Sequence, residues 1–402
     1  MKLERRTLWA WRISMPLAFL LTGAGGLGLA PLVWLAGLGA APFRALWPYL
    51  RRPSPALVLT LAALGWYCLS FAWSPYEKPE ELYKLAFATP VFALLPFAVS
   101  RMGEETRAAA RPWAVFCALA ALGYLFMEAL TQGHLNMSYK LAVEGYEGTL
   151  DGLMPFINRT LSRAATPAIM FGGAAAVMLW CAGRTGARLL AVACAILLVV
   201  AAGAFNMHAN MVGLAAGSVA AALAALRPRA TLQAIIWGTA LLILAGPVLM
   251  AAVLSVIPQD MRDSVPLSWE WRLEIWAYAN ALIAERPITG HGLDATRVLN
   301  DTTELRGMTI ELLPLHVHNA PLHLWLEGGL VGAGLVAAAL GALGAWIGRV
   351  RLSRPAWISL AFVVGVWLVN VLVGYGLWQE WHHAALALGV GFSLLQPGRK
   401  IA

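Results

Sequence analysis

Leu315-His316-Val317-His318-Asn319-Ala320-Pro321-Leu322-His323-Leu324-Trp325-Leu326-Glu327-Gly328-Gly329-Leu330-Val331-Gly332 is a polar loop that turns into an apolar helix. It closes the longest polar interval of the chain, which begins near Ile257. Asn319 suits an N-cap and Pro321 suits a first turn, so the spacing predicts a helix starting there. Positions 318, 322, 325, 329 and 332 then share one face, with His318 at its top and Gly329 and Gly332 below. Gly328 and Gly332 form a small-xxx-small pair, which lets another helix come close.

Working outward, the chain is built to sit in lipid. Of its 402 residues 60% are hydrophobic and 12% charged, against about 25% charged in an ordinary soluble domain. The pattern predicts an all-α polytopic membrane protein of about 12 transmembrane helices. Their expected ranges are 8–24, 27–43, 55–73, 82–99, 111–130, 160–182, 187–205, 208–226, 231–256, 318–347, 355–376 and 380–396. Most approach the roughly 20 residues that a bilayer requires. The first two are short and Gly-rich and could equally form one hairpin or a broken helix. The implied division is residues 1–256 for helices 1–9, 257–317 for a mainly helical loop with an interfacial helix, which the resemblance below would make periplasmic, and 318–402 for helices 10–12. Basic residues followed by an apolar helix suggest a first span that is retained, not a cleaved signal. Cys68, Cys117, Cys181 and Cys194 all fall in apolar stretches and imply no disulfide framework.

The net charge of +8 is distributed asymmetrically. Nineteen of the 29 basic residues fall on the N-terminal side of this plan, including Arg44, Arg51, Arg52, Arg227, Arg229, Arg349, Arg399 and Lys400, with only Glu4, Glu104 and Glu105 opposing them. The remaining 10 basic residues share the other side with 18 acidic ones. Lys and Arg collect in cytoplasmic loops. Both termini are therefore expected in the cytoplasm, and 257–317 outside. The basicity reads as topology and gives no support to a nucleic-acid partner.

Within 257–317, Ser268 could cap a helix running to about Arg286, which Pro287 ends. Trp269, Leu273, Trp276 and Ile283 lie on one face of it, the pattern of a helix in the membrane interface. A second short helix is conceivable between Asp294 and Glu311. Arg272 lies between Trp269 and Trp276, so ring faces could hold it; the plainer reading is an exposed charge paired with Glu270 or Glu274. Arg159 and Arg163 are four residues apart at the outer end of the sixth span and share a helix face, where like charges repel. They either snorkel to lipid phosphate or clamp a phosphate-bearing substrate. His318 could be a helix-end histidine bonded to a carbonyl, or a base. His316, His318 and His323 lack ligand geometry as read from sequence, since 323 should point elsewhere on its helix. No HExxH or DxD is present, so no metal or other cofactor is expected.

His318-Asn319, nine residues, then Gly329-x-x-Gly332 resembles the signature of the O-antigen ligase family of lipopolysaccharide assembly. Arg272-Leu273-Glu274-Ile275-Trp276 and Pro287-Ile288-Thr289-Gly290-His291-Gly292 resemble the segment shared by that family, the O-antigen polymerases and the bacterial protein O-oligosaccharyltransferases. The resemblance implies a multi-pass ligase of the bacterial inner membrane with a periplasmic active site. Its donor would be O-antigen on undecaprenyl diphosphate and its acceptor the lipid A–core oligosaccharide. It implies His318 and Arg272 as catalytic residues, and Arg159, Arg163 and Arg272 as diphosphate-binding ones. Such a transfer needs charge neutralisation at the leaving group and a proton acceptor near neutrality, without a metal. One displacement suffices and inverts the anomeric carbon. Polymerase and protein-glycosylating activities remain alternatives. A lipid-linked glycan transporter is the competing class; it would require charge at mid-membrane depth and repeated halves.

Overall fold

The computed structural model describes residues 2–145, 147, 150–205 and 208–398; Arg399 and Lys400 of the basic flank lie outside the described residues. The helices are α1 (Lys2–Gly23), α2 (Leu29–Ala40), α3 (Phe43–Arg51), α4 (Pro55–Ser70), α5 (Glu80–Tyr83), α6 (Leu94–Ser100), α7 (Glu104–Leu130), α8 (His134–Ala142) and α9 (Leu150–Cys181). They continue with α10 (Thr185–Gly203), α11 (His208–Leu226), α12 (Pro228–Val256), α13 (Gln259–Ser264), α14 (Leu267–Glu285), α15 (Ala320–Ile347), α16 (Arg354–Val373) and α17 (Glu380–Leu394). A hairpin, β1 (Thr302–Leu305) and β2 (Met308–Glu311), is the sheet seen among the described residues. The protein is thus an all-α polytopic membrane protein.

Nine stretches among the described residues are long and apolar enough to cross a bilayer. They correspond to nine of the twelve expected spans, and the other three differ for visible reasons. α1 has the length but carries Glu4, Arg5, Arg6 and Arg12 in its first half. α2 has only 12 residues and meets α3 at a 91° bend, so the pair would make at most one broken span. α17 has 15 residues, short of a bilayer's thickness at 1.5 Å per residue. The span Glu80–Ser100 is irregular. Its middle passes through π and 3₁₀ geometry between Lys84 and Ala93, where Pro90 lacks a donor for the helical ladder.

α9 is the most deeply buried span. Its Ile157, Leu161, Ala164, Ala168 and Ile169 form the centre of the largest apolar cluster, with Leu122, Leu125 and Phe392. Small residues set the helix approaches. A Cβ on Gly173 would fall 2.0 Å from the Phe362 ring of α16, and one on Gly217 would fall 2.7 Å from Val366.

α15 begins as its sequence indicates. Asn319 is the N-cap, its Oδ1 accepts from the Leu322 amide at 3.1 Å, and Pro321 lies in the first turn. Gly328 and Gly332 do admit a neighbour: a Cβ on either would meet the Tyr67 ring of α4 at 2.5 to 2.7 Å. Trp66 and Tyr67 donate to the carbonyls of Gly328 and Leu324 at 2.9 Å each. The single continuous face from 318 to 332 does not form, because α15 is broken at Gly329 (φ 60°, ψ −163°).

The break is filled by the turn after α14. His291 and Gly292 donate backbone N–H to the carbonyls of Leu326 and Glu327, while Leu330 donates to Pro287. Backbone meets backbone so closely that a Cβ on Gly290 would sit 2.5 Å from the Glu327 carbonyl carbon, and one on Gly329 2.3 Å from the Ile288 oxygen. The two glycine-bearing motifs of the sequence are therefore two sides of one joint.

The interval 257–317 differs from expectation in three respects. α14 starts at Leu267 after Pro266, with no side-chain cap, so Ser268 lies inside its first turn. Its Leu273, Ile275, Trp276, Ala279, Leu282 and Ile283 are buried against Leu313, Val317, Leu322 and Leu326. The helix is thus clamped over the top of α15, more than an interfacial helix needs. In place of a second helix, Thr296 lies in a 3₁₀ turn (Ala295–Arg297), and residues 302–311 form the hairpin. Arg306 and Gly307 both take positive φ at its tip, as a two-residue hairpin turn requires.

Candidate active site

His318 precedes the α15 cap in left-handed geometry (φ 53°), an uncommon conformation for a residue with a Cβ. Its Nδ1 lies 2.8 Å from the carbonyl of Gly374, the residue that ends α16. A carbonyl can only accept, so Nδ1 carries the proton and Nε2 keeps its lone pair. Burial lowers the His318 pKa to about 4, the positive charge of Arg272 adds to the effect, and the Gly374 bond partly opposes it. The imidazole is therefore neutral at physiological pH.

Arg272 lies on α14 near enough to act electrostatically on His318. Its guanidinium stands over Trp269 at 5.3 Å, and one terminal nitrogen donates to the Ser268 carbonyl at 2.6 Å. The other flanking ring, Trp276, is buried and donates to the Val317 carbonyl at 3.1 Å, fixing the approach to His318. The acids that could have neutralised Arg272 are engaged elsewhere: Glu270 with Arg306 at 2.6 Å, Glu274 with Arg262 at 3.9 Å. Among the described residues Arg272 has no carboxylate partner, and its Nε is buried without an acceptor. Burial lowers its pKa, yet an arginine stays charged.

Arg159 and Arg163 share α9 as their spacing indicates. Arg159 is exposed; Arg163 is half-buried, and its Nε lacks an acceptor among the described residues. Arg163 interacts electrostatically with Tyr375 and with Arg159. The turn Gly374-Tyr375-Gly376 joins two of the predicted residues and a neighbour: Gly374 holds His318, Tyr375 lies near Arg163, and Gly376 packs on His316. Arg159 acts electrostatically on Arg163.

A group of residues to which the sequence reading assigned no role adjoins His318. The His316 ring lies 4.1 Å from that of His318 and lines a cavity of about 110 Å³. Its other walls include Glu81, Lys84, Asp294, Arg297, His323 and Trp378. His323 therefore does not point away from His316; both reach the same space. Burial, then the neighbouring histidines and arginines, holds His316 well below the usual histidine pKa. Glu327, fully buried, accepts from His323 at 3.0 Å, Trp378 at 2.6 Å and Thr296 at 3.3 Å. The one local signal was His323-x-x-x-Glu327, an i,i+4 pair in an apolar helix. The remaining members come from distant segments. Among the described residues, no three His, Cys, Asp or Glu side chains are grouped to hold a metal ion.

The arrangement defines a class: a polytopic helical membrane protein in which a neutral histidine, an unpaired arginine and a charged cavity meet beside the longest loop. Residues 156–337, which include Arg159, Arg163, Arg272 and His318, match the family model described as O-antigen ligase. This stretch is thus similar to the O-antigen ligase family, and it contains the His318–Gly332 and Arg272–Gly292 motifs on which the resemblance rests. Similar proteins include one of Rickettsia typhi, 27% identical over 114 residues, and one of Rickettsia prowazekii, 26% identical over 147. Both bear the name "putative polysaccharide ligase". The matched stretches cover 27 and 35% of this chain, and the chain spans 28 and 36% of the length of these relatives. No solved structure matches significantly.

Proposed function

We propose that the protein is a glycosyltransferase that joins O-antigen polysaccharide from undecaprenyl diphosphate to lipid A–core oligosaccharide. The reaction would occur at the periplasmic face of the bacterial inner membrane. In this reading both termini are cytoplasmic, residues 1–256 and 318–402 form the membrane part, and 257–317 is the periplasmic loop. The observation that carries it is the pairing of a carboxylate-free Arg272 with a neutral, tautomer-fixed His318 inside the ligase-matching segment.

An acceptor hydroxyl forms the new bond to the anomeric carbon as the bond from that carbon to the diphosphate breaks. The hydroxyl proton passes to His318 Nε2. The departing lipid diphosphate gains negative charge, which Arg272 neutralises, with Arg163 and Arg159 as further cations on the same path. A single displacement inverts the anomeric centre, and no metal takes part. An anionic diphosphate beside Arg272 also cancels the positive potential that weakens His318 as a base, so donor binding itself tunes the histidine.

The buried carboxylates do not favour a transporter. Glu128 lies in the last turn of α7 and Glu327 in the second turn of α15, both near helix ends and not at mid-span.

The test uses purified protein in vesicles with lipid-diphosphate-linked glycan and lipid A–core. Core-linked product supports ligation. Elongated lipid-linked glycan without core product would instead identify a polymerase, glycan on a protein acceptor a protein O-oligosaccharyltransferase, and glycan translocation without a covalent product a transporter. His318→Ala should retain donor binding and slow transfer roughly 10²–10⁴-fold; normal transfer by this variant refutes the base assignment.

A further inference from the structure

We propose that the cavity between α5, α15 and the 374–380 turn is a sugar subsite, receiving the hydroxyl-bearing ring that presents or adjoins the reacting group at His318. The inference rests on the glycosyl-transfer reading and names where a sugar is held in it.

The lining alternates in charge. Lys84 bridges Glu81 at 3.4 Å and Glu380 at 3.0 Å; Arg297 pairs with Asp294 at 2.9 Å and approaches Glu81 at 4.0 Å. Behind them Glu327 is tied to His323 and Trp378. Two cations thus face three lining carboxyl groups, with Glu327 behind them, a balance that suits a neutral ligand better than a diphosphate. Each paired carboxylate still has free lone pairs and each cation free N–H groups. A neutral ligand that both donates and accepts, as a sugar hydroxyl does, can therefore bind without disturbing the charge balance. Among the described residues the buried Nε2 of His316, a lining residue, has no hydrogen-bond partner, and such an atom is costly unless something bonds it. At about 110 Å³ the space is below the several hundred Å³ of a site that encloses a whole small-molecule ligand. It fits part of one ring, with the rest of the glycan outside. Its position follows from the same contacts: the His316 ring lies tilted against that of His318 at 4.1 Å, and Gly376 of the wall is two residues from the carbonyl that orients His318.

The sugar could belong to the acceptor or to the first residue of the donor glycan, and two measurements separate them. Full-length protein in detergent is titrated calorimetrically with delipidated lipid A–core oligosaccharide and, separately, with the lipid-diphosphate-linked glycan. The comparison is wild type against Glu380→Gln and Trp378→Phe, each checked for a wild-type elution profile and unfolding midpoint. A tenfold or greater loss of oligosaccharide affinity in both variants, with donor affinity unchanged, supports an acceptor subsite. The reverse pattern supports a donor-sugar subsite. Wild-type affinity for both ligands in both folded variants overturns the proposal. Because binding is read without turnover, a protein that binds oligosaccharide through this cavity yet makes no product would sink the transferase reading and leave the subsite standing.

Discussion

The joint between the 287–292 turn and the break in α15 can be tested by adding one methyl group. Gly329 has φ 60° and ψ −163°, a region essentially reserved for glycine, in which a side chain costs on the order of 1–3 kcal/mol. A Cβ there would also lie 2.3 Å from the Ile288 oxygen and 2.6 Å from the Gly290 amide nitrogen. These are backbone atoms and cannot rotate aside, so overpacking of about 1–3 kcal/mol adds to the conformational cost. Gly329→Ala should therefore lose roughly 2–6 kcal/mol, a large share of a typical folding free energy. Gly334→Ala is the control. It lies five residues further along the same helix, a Cβ there meets nothing within 4 Å, and helical Gly→Ala gains about 0.5–1 kcal/mol. Unfolding midpoints in detergent, followed by loss of the monodisperse elution peak on heating, should fall well below wild type for Gly329→Ala and match or exceed it for Gly334→Ala. Equal midpoints for the two variants would refute the backbone-on-backbone joint.

The acid limb of kcat/KM should lie near pH 4–5, well below an ordinary histidine, because the folded His318 pKa is lowered to about 4. The unfolded chain takes up this proton near pH 6.5, so the neutral His318 also contributes stability that is full above that pH and is lost as the pH falls toward 4; an acid limb at 6.5 would refute the assignment. Arg272→Gln removes a positive neighbour and should move the limb of the residual activity upward; a downward shift would contradict the coupling. Arg272→Lys keeps the charge but loses the planar fork. If it forfeits one charge-assisted bond worth about 1.5–3 kcal/mol, transfer falls roughly 10- to 150-fold, and wild-type kinetics would argue against bidentate contact. Transfer should persist after dialysis against EDTA; its loss, with rescue by a divalent ion, would overturn metal independence.

The sequence disclosed what depends on local chemistry. The Asn319 cap, Pro321 and the Gly328/Gly332 approach were readable because each is set by a few adjacent residues. So was the placement of Arg159 and Arg163 on one helix. The break at Gly329 was not readable. Its cause is the Pro287–Gly292 turn some forty residues earlier, and a lone glycine in an apolar helix ordinarily signifies packing. The hairpin was missed because Arg306-Gly307 is not the usual Asn-Gly turn, although Thr302-Thr303-Glu304-Leu305 and Met308-Thr309-Ile310-Glu311 are β-compatible. The cavity was hidden for a further reason. Lys84 and Glu81 stand at an irregular span, Asp294 and Arg297 in a loop, and Glu380 at a helix start; only the tertiary fold makes them neighbours.

The two glycine motifs and the 374–376 turn together tie the candidate residues Arg272 and His318 to the helices around them. The 287–292 turn is bonded into the gap of α15, so the end of α14 cannot shift without breaking helix carbonyl bonds at Leu326 and Glu327. α14 in turn carries Arg272, and its Trp276 grips the Val317 carbonyl one residue before His318. From the opposite side, the C-terminal end of α16 fixes the His318 tautomer through Gly374. The arginine is therefore tied through α14 to the break in α15, and the histidine is held both by α14 and by the end of α16. A change at Gly290 or Gly329 should then disturb both partners together, whereas a change at Gly374 should disturb the histidine alone. Donor affinity should accordingly fall in the first pair of variants and persist in the last, and the opposite order would show that the two residues are positioned independently of α15.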